Sequence, residues 1–578
     1  MKKYLSIAGV MIFLAAVVLA AFFIIQPKPR SASPTLSPTS SPSPSPTALP
    51  IAVPVSPVNG MPQGTDGYQW WNDTTFYEIF VRSFYDSDGN GVGDFNGITA
   101  KLDYLNDGNP FTTTDLGVTG IWLMPINPSP SYHGYDVIDY YTVNSDYGTM
   151  DDFKNMLNEA HKRGIRVILD LVLNHTSSQN PWFIGSWDLL SSNHDWYIWS
   201  DTNPGYNGPW GQKVWYPSHG EYYYALFWDQ MPDLNYNNPA VTAEMENIVK
   251  FWLDGGVDGF RLDAARHLIE NGAQQINTDA THAWYQQFRT FYKGINPHAV
   301  TVAELAGEDA GVMASYTQGD QLDLAFDFKL ASAFVSSAGS GNAGTVRGQM
   351  KISFKLIPPL QFAPFLTNHD QNRLMTQLKN DPNKVKVAAS MLLTSPGVPF
   401  IYYGEEIGLE GQKPDEDIRR PMQWSPEIYS GFSTGLPWRS LGPDWETYNL
   451  ANETTDPNSI LSHYRTLIQI RNEHAALRVG DLNVVYSGNP GLYTILRVSQ
   501  EEMVLVIVNL SDAPVSGYKL SLEKSNIPAV TYRAFPILGA TGELAELPFT
   551  DNGGFKDYVP LPDIPAYGTV IIQLQLTK

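Results

Sequence analysis

The sequence contains no cysteine. Disulfide staples, thiolate nucleophiles, iron–sulfur clusters and cysteine-ligated zinc are therefore excluded. Basic residues are also few, with 37 Lys and Arg against 59 Asp and Glu and a formal net charge of −22. A phosphate backbone needs a basic footprint, so no nucleic-acid partner is expected. An acidic surface serves solubility, and a neutral substrate requires no positive cleft. Charged residues make up only 17% of the chain while hydrophobic residues reach 43%. That balance excludes global disorder and permits a large core. The 578 residues leave room for more than one domain.

One long apolar run is present. After Met-Lys-Lys the chain is apolar from Leu5 to Ile25, diluted only by Ser6 and Gly9. The run is long enough to span a bilayer. A cleaved signal has a shorter apolar region ending at small residues. Here Ala20-Ala21 are small, but Phe22-Phe23-Ile24-Ile25 continue the run. Residues 1–30 are therefore expected to be a membrane anchor in preference to a cleaved signal. Lys2 and Lys3 would hold that end in the cytoplasm and place the rest outside the cell. Residues 31–57 are almost entirely Ser, Pro, Thr and Ala. Such a segment cannot bury enough apolar area to fold and is expected to be an extended linker.

From Tyr68 onward, short apolar runs alternate with stretches of helical spacing such as Met150–Arg163 and Thr242–Leu253. The runs are Phe76–Phe84, Val118–Pro125, Ile165–Asn174, Val257–Asp263, Ala299–Leu305, Leu322–Phe328, Pro364–Asp370 and Val398–Glu405. Eight such units predict an α/β fold, a (β/α)8 TIM barrel, over residues 58–175 and 238–477. Residues 176–237 interrupt it after the third strand and hold seven of the 15 tryptophans. A loop of that length predicts a small inserted subdomain over the barrel mouth. Over residues 478–578 the helical spacing stops, and runs such as Met503–Leu510 predict a C-terminal antiparallel β-sandwich covering one side of the barrel.

Barrel enzymes carry functional side chains at the C-terminal ends of their strands. Polar groups gather where these runs end: Asn174-His175, Arg261 and Asp263, Glu304, and His369-Asp370. Residues two apart on a strand face the same way, so Arg261 and Asp263 point together into the mouth. A guanidinium at that range favours the ionised carboxylate. Glu304 closes the apolar run Ala299–Leu305, where desolvation would keep it protonated. An ionised carboxylate beside a protonated one is the pair that glycoside hydrolysis requires. Asp370 adds a third carboxylate able to bind sugar hydroxyls, and His175 and His369 are candidate donors to the same hydroxyls. Asp86-Ser87-Asp88-Gly89-Asn90-Gly91-Val92-Gly93-Asp94 follows the first run. Oxygen ligands at alternate positions around a glycine suit Ca²⁺, although Gly97 stands where an EF-hand has its glutamate.

Taken in order, these segments resemble the signature regions of the α-amylase family, glycoside hydrolase family 13. Asp170–His175 resembles the first region, Gly259–His267 the second, Val302–Glu304 the third and Phe365–Asp370 the fourth. The resemblance implies a retaining mechanism with Asp263 as nucleophile, Glu304 as acid/base and Asp370 as transition-state stabiliser. Ser131–Asp136 resembles the stretch that supplies a stacking Tyr and a His at the cleaved sugar, here Tyr135 and His133. Arg266-His267 resembles the basic-His pair that α-amylases place beyond the cleaved bond. Met231-Pro232-Asp233-Leu234-Asn235 resembles the fifth region in a form between those of neopullulanases and oligo-1,6-glucosidases. Ala264 follows the nucleophile position, as in α-amylases, where α-1,6-cleaving relatives often carry Val. Ala303 stands where the family commonly has Gly. The Asp86–Asp94 loop resembles a family calcium loop, which implies Asp86, Asp88, Asn90 and Asp94 as side-chain ligands and Val92 as a carbonyl ligand. Asn174 implies a second calcium whose partner in the insertion is not identifiable. The expected protein is an extracellular, tethered, endo-acting α-amylase cleaving α-1,4 bonds of starch and maltooligosaccharides. The alternatives are an oligosaccharide α-glucosidase, a neopullulanase-like enzyme or a glucosyltransferase. More remote is a non-catalytic amylase-like ectodomain of an amino-acid transporter, which a full carboxylate set and the absence of cysteine disfavour.

Overall fold

The structure is a computed structural model that describes residues 60–576. The expected anchor and the expected linker lie outside the described residues. Among the described residues no helix is long and apolar enough to cross a membrane.

Eight short parallel strands form one sheet: Phe76–Ile79, Gly120–Leu123, Arg166–Leu171, Gly259–Leu262, Val300–Ala303, Leu324–Phe326, Phe362–Ala363 and Phe400–Tyr402. Each pairs with its neighbour in chain order, and the eighth pairs with the first, Phe76 opposite Phe400. The seventh and eighth meet through a single parallel bridge, Phe365 opposite Phe400. The result is the expected (β/α)8 barrel. The seventh strand sits earlier than the apolar run Pro364–Asp370 suggests. Pro364 has no N–H for a ladder, so residues beyond Phe365 leave the sheet and turn over the mouth.

The connecting helices follow from local signals. Met150–Lys162 starts at Thr149, whose side chain and that of Asp152 form a reciprocal capping box. Its buried residues Phe153, Met156, Leu157 and Ala160 recur on one face and pack on the sheet. Pro239–Asp254 begins at an Asn238 cap with proline in the first turn, three residues earlier than the apolar spacing alone indicates.

Period two along the strands sorts the barrel interior into layers. Phe76, Trp122, Ile168, Val302, Phe326 and Phe400 fill the lower interior as one apolar cluster. Two residues further along, the same inward direction carries Glu78, Asp170 and Glu304. Arg261 follows Gly259 by the same step. A Cβ at Gly259 would stand 2.0 Å from the Val300 carbonyl oxygen, so only glycine lets the fourth and fifth strands close here.

The insertion after the third strand contains a three-stranded antiparallel sheet of Trp199–Ser200, Trp215–Ser218 and Glu221–Tyr224. An isolated bridge from His175 to Asp233 ties it back to the barrel mouth, and a second from Tyr197 to Leu234 closes the insertion on itself. Trp182, Trp196 and Trp199 pack against the main core, and Trp215 is buried in the insertion's own small cluster.

The C-terminal region holds a six-stranded antiparallel sheet running Asp481–Val484, Leu492–Val498, Met503–Asn509, Thr569–Leu576, Thr531–Leu538 and Leu547–Pro548, with two-stranded pairs beside it. Met503–Asn509 is apolar up to Val508 because both its faces are covered. Leu505 and Ile507 enter the region's own core. Val504, Val506 and Val508 enter the barrel-side core. Two fully buried arginines clamp this contact. Arg471 donates to the carbonyls of Leu393, Ser395 and Gly397, and Arg497 donates to those of Thr394 and Gly480. These carbonyls include the last of helix Pro382–Thr394, which lack helical partners. Replacing Arg497 with Met should cost about 2–4 kcal/mol in urea unfolding, because it orphans buried carbonyls. A loss within experimental error would show that the clamp is dispensable.

Candidate active site

The cluster at the mouth is assembled by strand register. Asp170 on the third strand and Arg261 on the fourth are direct cross-strand partners. Arg261 is 1% exposed, and its Nη1 lies 2.8 Å from Asp170 Oδ1. The same Nη1 donates to Asp263 Oδ1 at 2.7 Å, and Nη2 donates to Glu304 Oε2 at 2.7 Å. One guanidinium thus holds three carboxyl groups from three consecutive strands. Trp122 lies beneath it, with the guanidinium carbon 5.2 Å from the ring centroid.

Beyond Asp263 the chain turns sharply. Ala264 adopts left-handed angles, φ 48° and ψ 34°, and its N–H donates to Glu304 Oε2 at 3.1 Å. A non-glycine residue in that region costs energy and is sustained by its surroundings. Here the turn brings a backbone donor to the carboxyl group opposite Asp263.

A second set of contacts surrounds Asp370. Arg419 Nη2 donates to its Oδ1 at 2.9 Å, and His369 Nε2 lies 3.3 Å from its Oδ2. His369 is buried, with Nδ1 2.5 Å from Glu78 Oε1 and Nε2 2.8 Å from the Tyr135 hydroxyl. Tyr135 in turn donates to Asp170 Oδ2 at 3.0 Å, which joins the two sets.

These groups open onto a cleft of about 310 Å³. His133, Tyr135, His175, Arg266 and His267 line it together with Asp263, Glu304 and Asp370. Arg261 and His369 lie below its floor, with their polar atoms directed to protein groups. The sequence reading did not single out Arg419 and Asp415, which also line the cleft. They sit in a loop without periodicity, and the one signal was the pair Arg419-Arg420 beside the acidic stretch Asp415–Asp417. It also did not distinguish Trp210 among the seven insertion tryptophans. Trp210 lines the cleft beside Phe227, 5.7 Å between ring centroids, and each ring lies within 5.7 Å of His267.

Charge follows position. Burial pushes Asp263 up to about 6; Arg261 pulls it down and the neighbouring Asp170 adds to the rise. Burial also raises Glu304, against Arg261 and with the help of Asp263 and Asp370. Burial works to raise Asp370 as well, but His369, Arg419 and Arg261 outweigh it and hold its pKa below the ordinary value. Burial brings His175 down to about 3, and burial and Arg266 bring His267 down to about 4, so both are neutral donors or acceptors.

Two oxygen-rich sites lie outside this cluster. Asp86, Asp88 and Asp94 offer carboxylate oxygens within 4.8 Å of one another, a grouping able to hold a metal ion. Asn90 belongs to the same loop, its Oδ1 accepting from the Val92 N–H. Asn174 finds its partner in the insertion: its Nδ2 donates to Asp233 Oδ2 at 2.8 Å. Its Oδ1 is buried without a partner, as is Oε1 of the adjacent Glu270.

A TIM barrel with carboxylates gathered at its C-terminal mouth has its functional groups where barrel enzymes carry them. Residues 78–480 match the family model described as alpha amylase, catalytic domain. The chain is 40% identical over 454 residues to alpha-amylase 3 of Dictyoglomus thermophilum, covering 76% of this chain and 85% of that one. It is 32% identical over 520 residues to an oligo-1,6-glucosidase of Parageobacillus thermoglucosidasius, covering 77% and 91%. The crystal structure of an alpha-amylase from H. orenii superimposes with a TM-score of 0.76 at 40% identity, covering 87% of this chain and 99% of that one. The chain belongs to the α-amylase family of glycoside hydrolases.

Any attack by Asp263 needs its ionised form. The sign follows: protonation removes activity, so kcat/KM should fall about tenfold per unit as pH drops below about 6. A profile that stays flat from pH 7 to 4.5 would contradict this assignment.

Proposed function

We propose that this glycoside hydrolase is an endo-acting α-amylase that cleaves α-1,4 bonds of starch and maltooligosaccharides with retention. The observation that carries this reading is the shared guanidinium of Arg261. Holding Asp263 and Glu304 on its two terminal nitrogens keeps their carboxyl groups close, in support of the about 5–5.5 Å of retaining enzymes over the wider gap that admits a water. Asp263 attacks the anomeric carbon and forms the glycosyl-enzyme bond. Glu304 gives its proton to the departing glycosidic oxygen, then takes one from the water that hydrolyses the intermediate. Asp370, held ionised by His369 and Arg419, binds ring hydroxyls and stabilises positive charge on the sugar.

Two groups of binding side chains support chain cleavage over removal of single terminal sugars. His133 stacks on Tyr135 and His369 joins Tyr135 to Asp370, and Trp210, Phe227, Arg266 and His267 form a second group in the same cleft. The second group offers ring faces and a cation to sugars beyond the cleaved bond. The relatives include enzymes named as oligo-1,6-glucosidase and trehalose synthase. Their presence keeps an exo-acting or glucosyl-transferring activity as the second reading.

Calcium suits both oxygen-rich sites. Asp86, Asp88, Asn90 and Asp94, with the Val92 carbonyl, would hold one ion. Asn174, Asp233 and Glu270 would hold another, and the unpartnered oxygens of Asn174 and Glu270 fit that role. The ions would supply charge that fixes loops at the mouth. We also infer that the N-terminal run, Leu5–Ile25, tethers the enzyme outside the cell.

Maltoheptaose and pullulan, followed by product size over time, test the proposal with Asp263→Asn as control. Early mid-length maltooligosaccharides that are absent in the control are expected. Glu304→Gln should lower kcat about 10²–10⁴-fold. Glucose alone from the first minutes would overturn the endo-acting assignment in favour of the second reading, and no product would leave the chain without the proposed activity.

A further inference from the structure

A third group of oxygens lies away from the cleft and from both sites already described. Gln423 is fully buried, and its Nε2 donates to the Tyr448 carbonyl, which fixes the orientation of the amide. Its Oε1 is thereby turned the other way, buried and without a hydrogen-bond partner. Asp444 faces the same spot, and both of its carboxylate oxygens are likewise buried and unpartnered. Glu410 lies against Asp444 within hydrogen-bonding reach, and it brings a second negative charge. Gly442 leaves the space between them open. A Cβ there would stand 2.4 Å from Gln423 Oε1 and 3.1 Å from Asp444 Oδ1. The Asp444 carboxylate, with Glu410 against it, and the Gln423 carboxamide oxygen therefore face one another beside Gly442.

Buried acceptors without donors are costly, and two carboxylates side by side are more so. A cation removes both costs. We propose that Glu410, Gln423 and Asp444 form a binding site for a hard divalent cation, Ca²⁺ by the chemistry of an all-oxygen donor set. The ion would join three segments that leave the barrel after its eighth strand. Gln423 follows Arg419 by four residues, and the Gln423 carbonyl accepts from the Leu450 N–H at 2.9 Å. Fixing Gln423 would anchor the segment whose Arg419 holds Asp370.

The rival explanation is a proton shared between Glu410 and Asp444. Ca²⁺ binding to the chelator-treated full chain separates the two, with stoichiometry and melting temperature as readouts that do not depend on activity. Glu410→Gln carries the test, because the position is only partly buried and the change is nearly isosteric; Asp444→Asn repeats it. The wild-type chain should bind one more Ca²⁺ per molecule than either variant. Its calcium-dependent rise in melting temperature should be larger by about 2 °C or more. In chelator the variants should melt no lower than the wild type, since a like-charge contact is relieved. Equal stoichiometry in all three proteins would overturn the proposal and assign the pair to a shared proton.

Discussion

The mouth of this barrel is organised around a single buried cation. Arg261 lies under the cleft floor and touches Asp170, Asp263 and Glu304 through its two terminal nitrogens. One positive charge among three carboxyl groups cannot stabilise all of them in ionised form. The distribution of protons within the cluster is therefore set by who holds the guanidinium and who is most desolvated. Asp170 is fully enclosed and serves as the structural counter-ion. Asp263 and Glu304 share what remains, and their burial pushes both pKa values upward. Two neighbouring carboxyl groups that hold their protons more tightly than free carboxyls are the consequence. Asp370 stands apart with its own partners, His369 and Arg419, and keeps its charge.

The remainder of the fold holds that cation in place. The cross-strand register sets Arg261 opposite Asp170, and a glycine at position 259 lets the neighbouring strand approach closely enough. Trp122 supplies an aromatic face below the guanidinium, where water would otherwise compete. Outside the barrel, the C-terminal sheet buries alternate side chains of one strand in two different cores. Arg471 and Arg497 satisfy the carbonyls at that seam. Each device keeps the eight strands in one register, on which the geometry at the mouth depends.

Much of this was readable from the chain. Eight apolar runs named the barrel strands, and period two on the run Gly259–Asp263 placed Arg261 and Asp263 on one side. Of the residues at the strand ends, His175, Asp263, Glu304 and Asp370 line one cleft, and Arg261 and His369 lie beneath it. What the sequence could not carry was partnership across long separations. Nothing local to Asn174 points to Asp233, and nothing near Asp370 points to Arg419, which arrives from an irregular loop. The insertion's tryptophans were equally ambiguous, since composition does not say that Trp215 is core while Trp210 faces the cleft. The arginine beside Asp263 suggested a depressed pKa, whereas enclosure among other carboxyl groups raises it to about 6. Burial and like charge are properties of the assembled mouth, and one pair of residues does not contain them.

Arg261 sets the ionisation of the carboxyl groups it holds. The direct measurement is the pH dependence of kcat/KM for Arg261→Lys beside the wild type. A lysine brings one point charge and cannot bridge Asp263 and Glu304 together. The acid limb should move upward by about one pH unit or more, because Asp263 loses its main stabilising partner. A variant that retains the wild-type limb, with the fold intact, would show that the guanidinium does not govern the site.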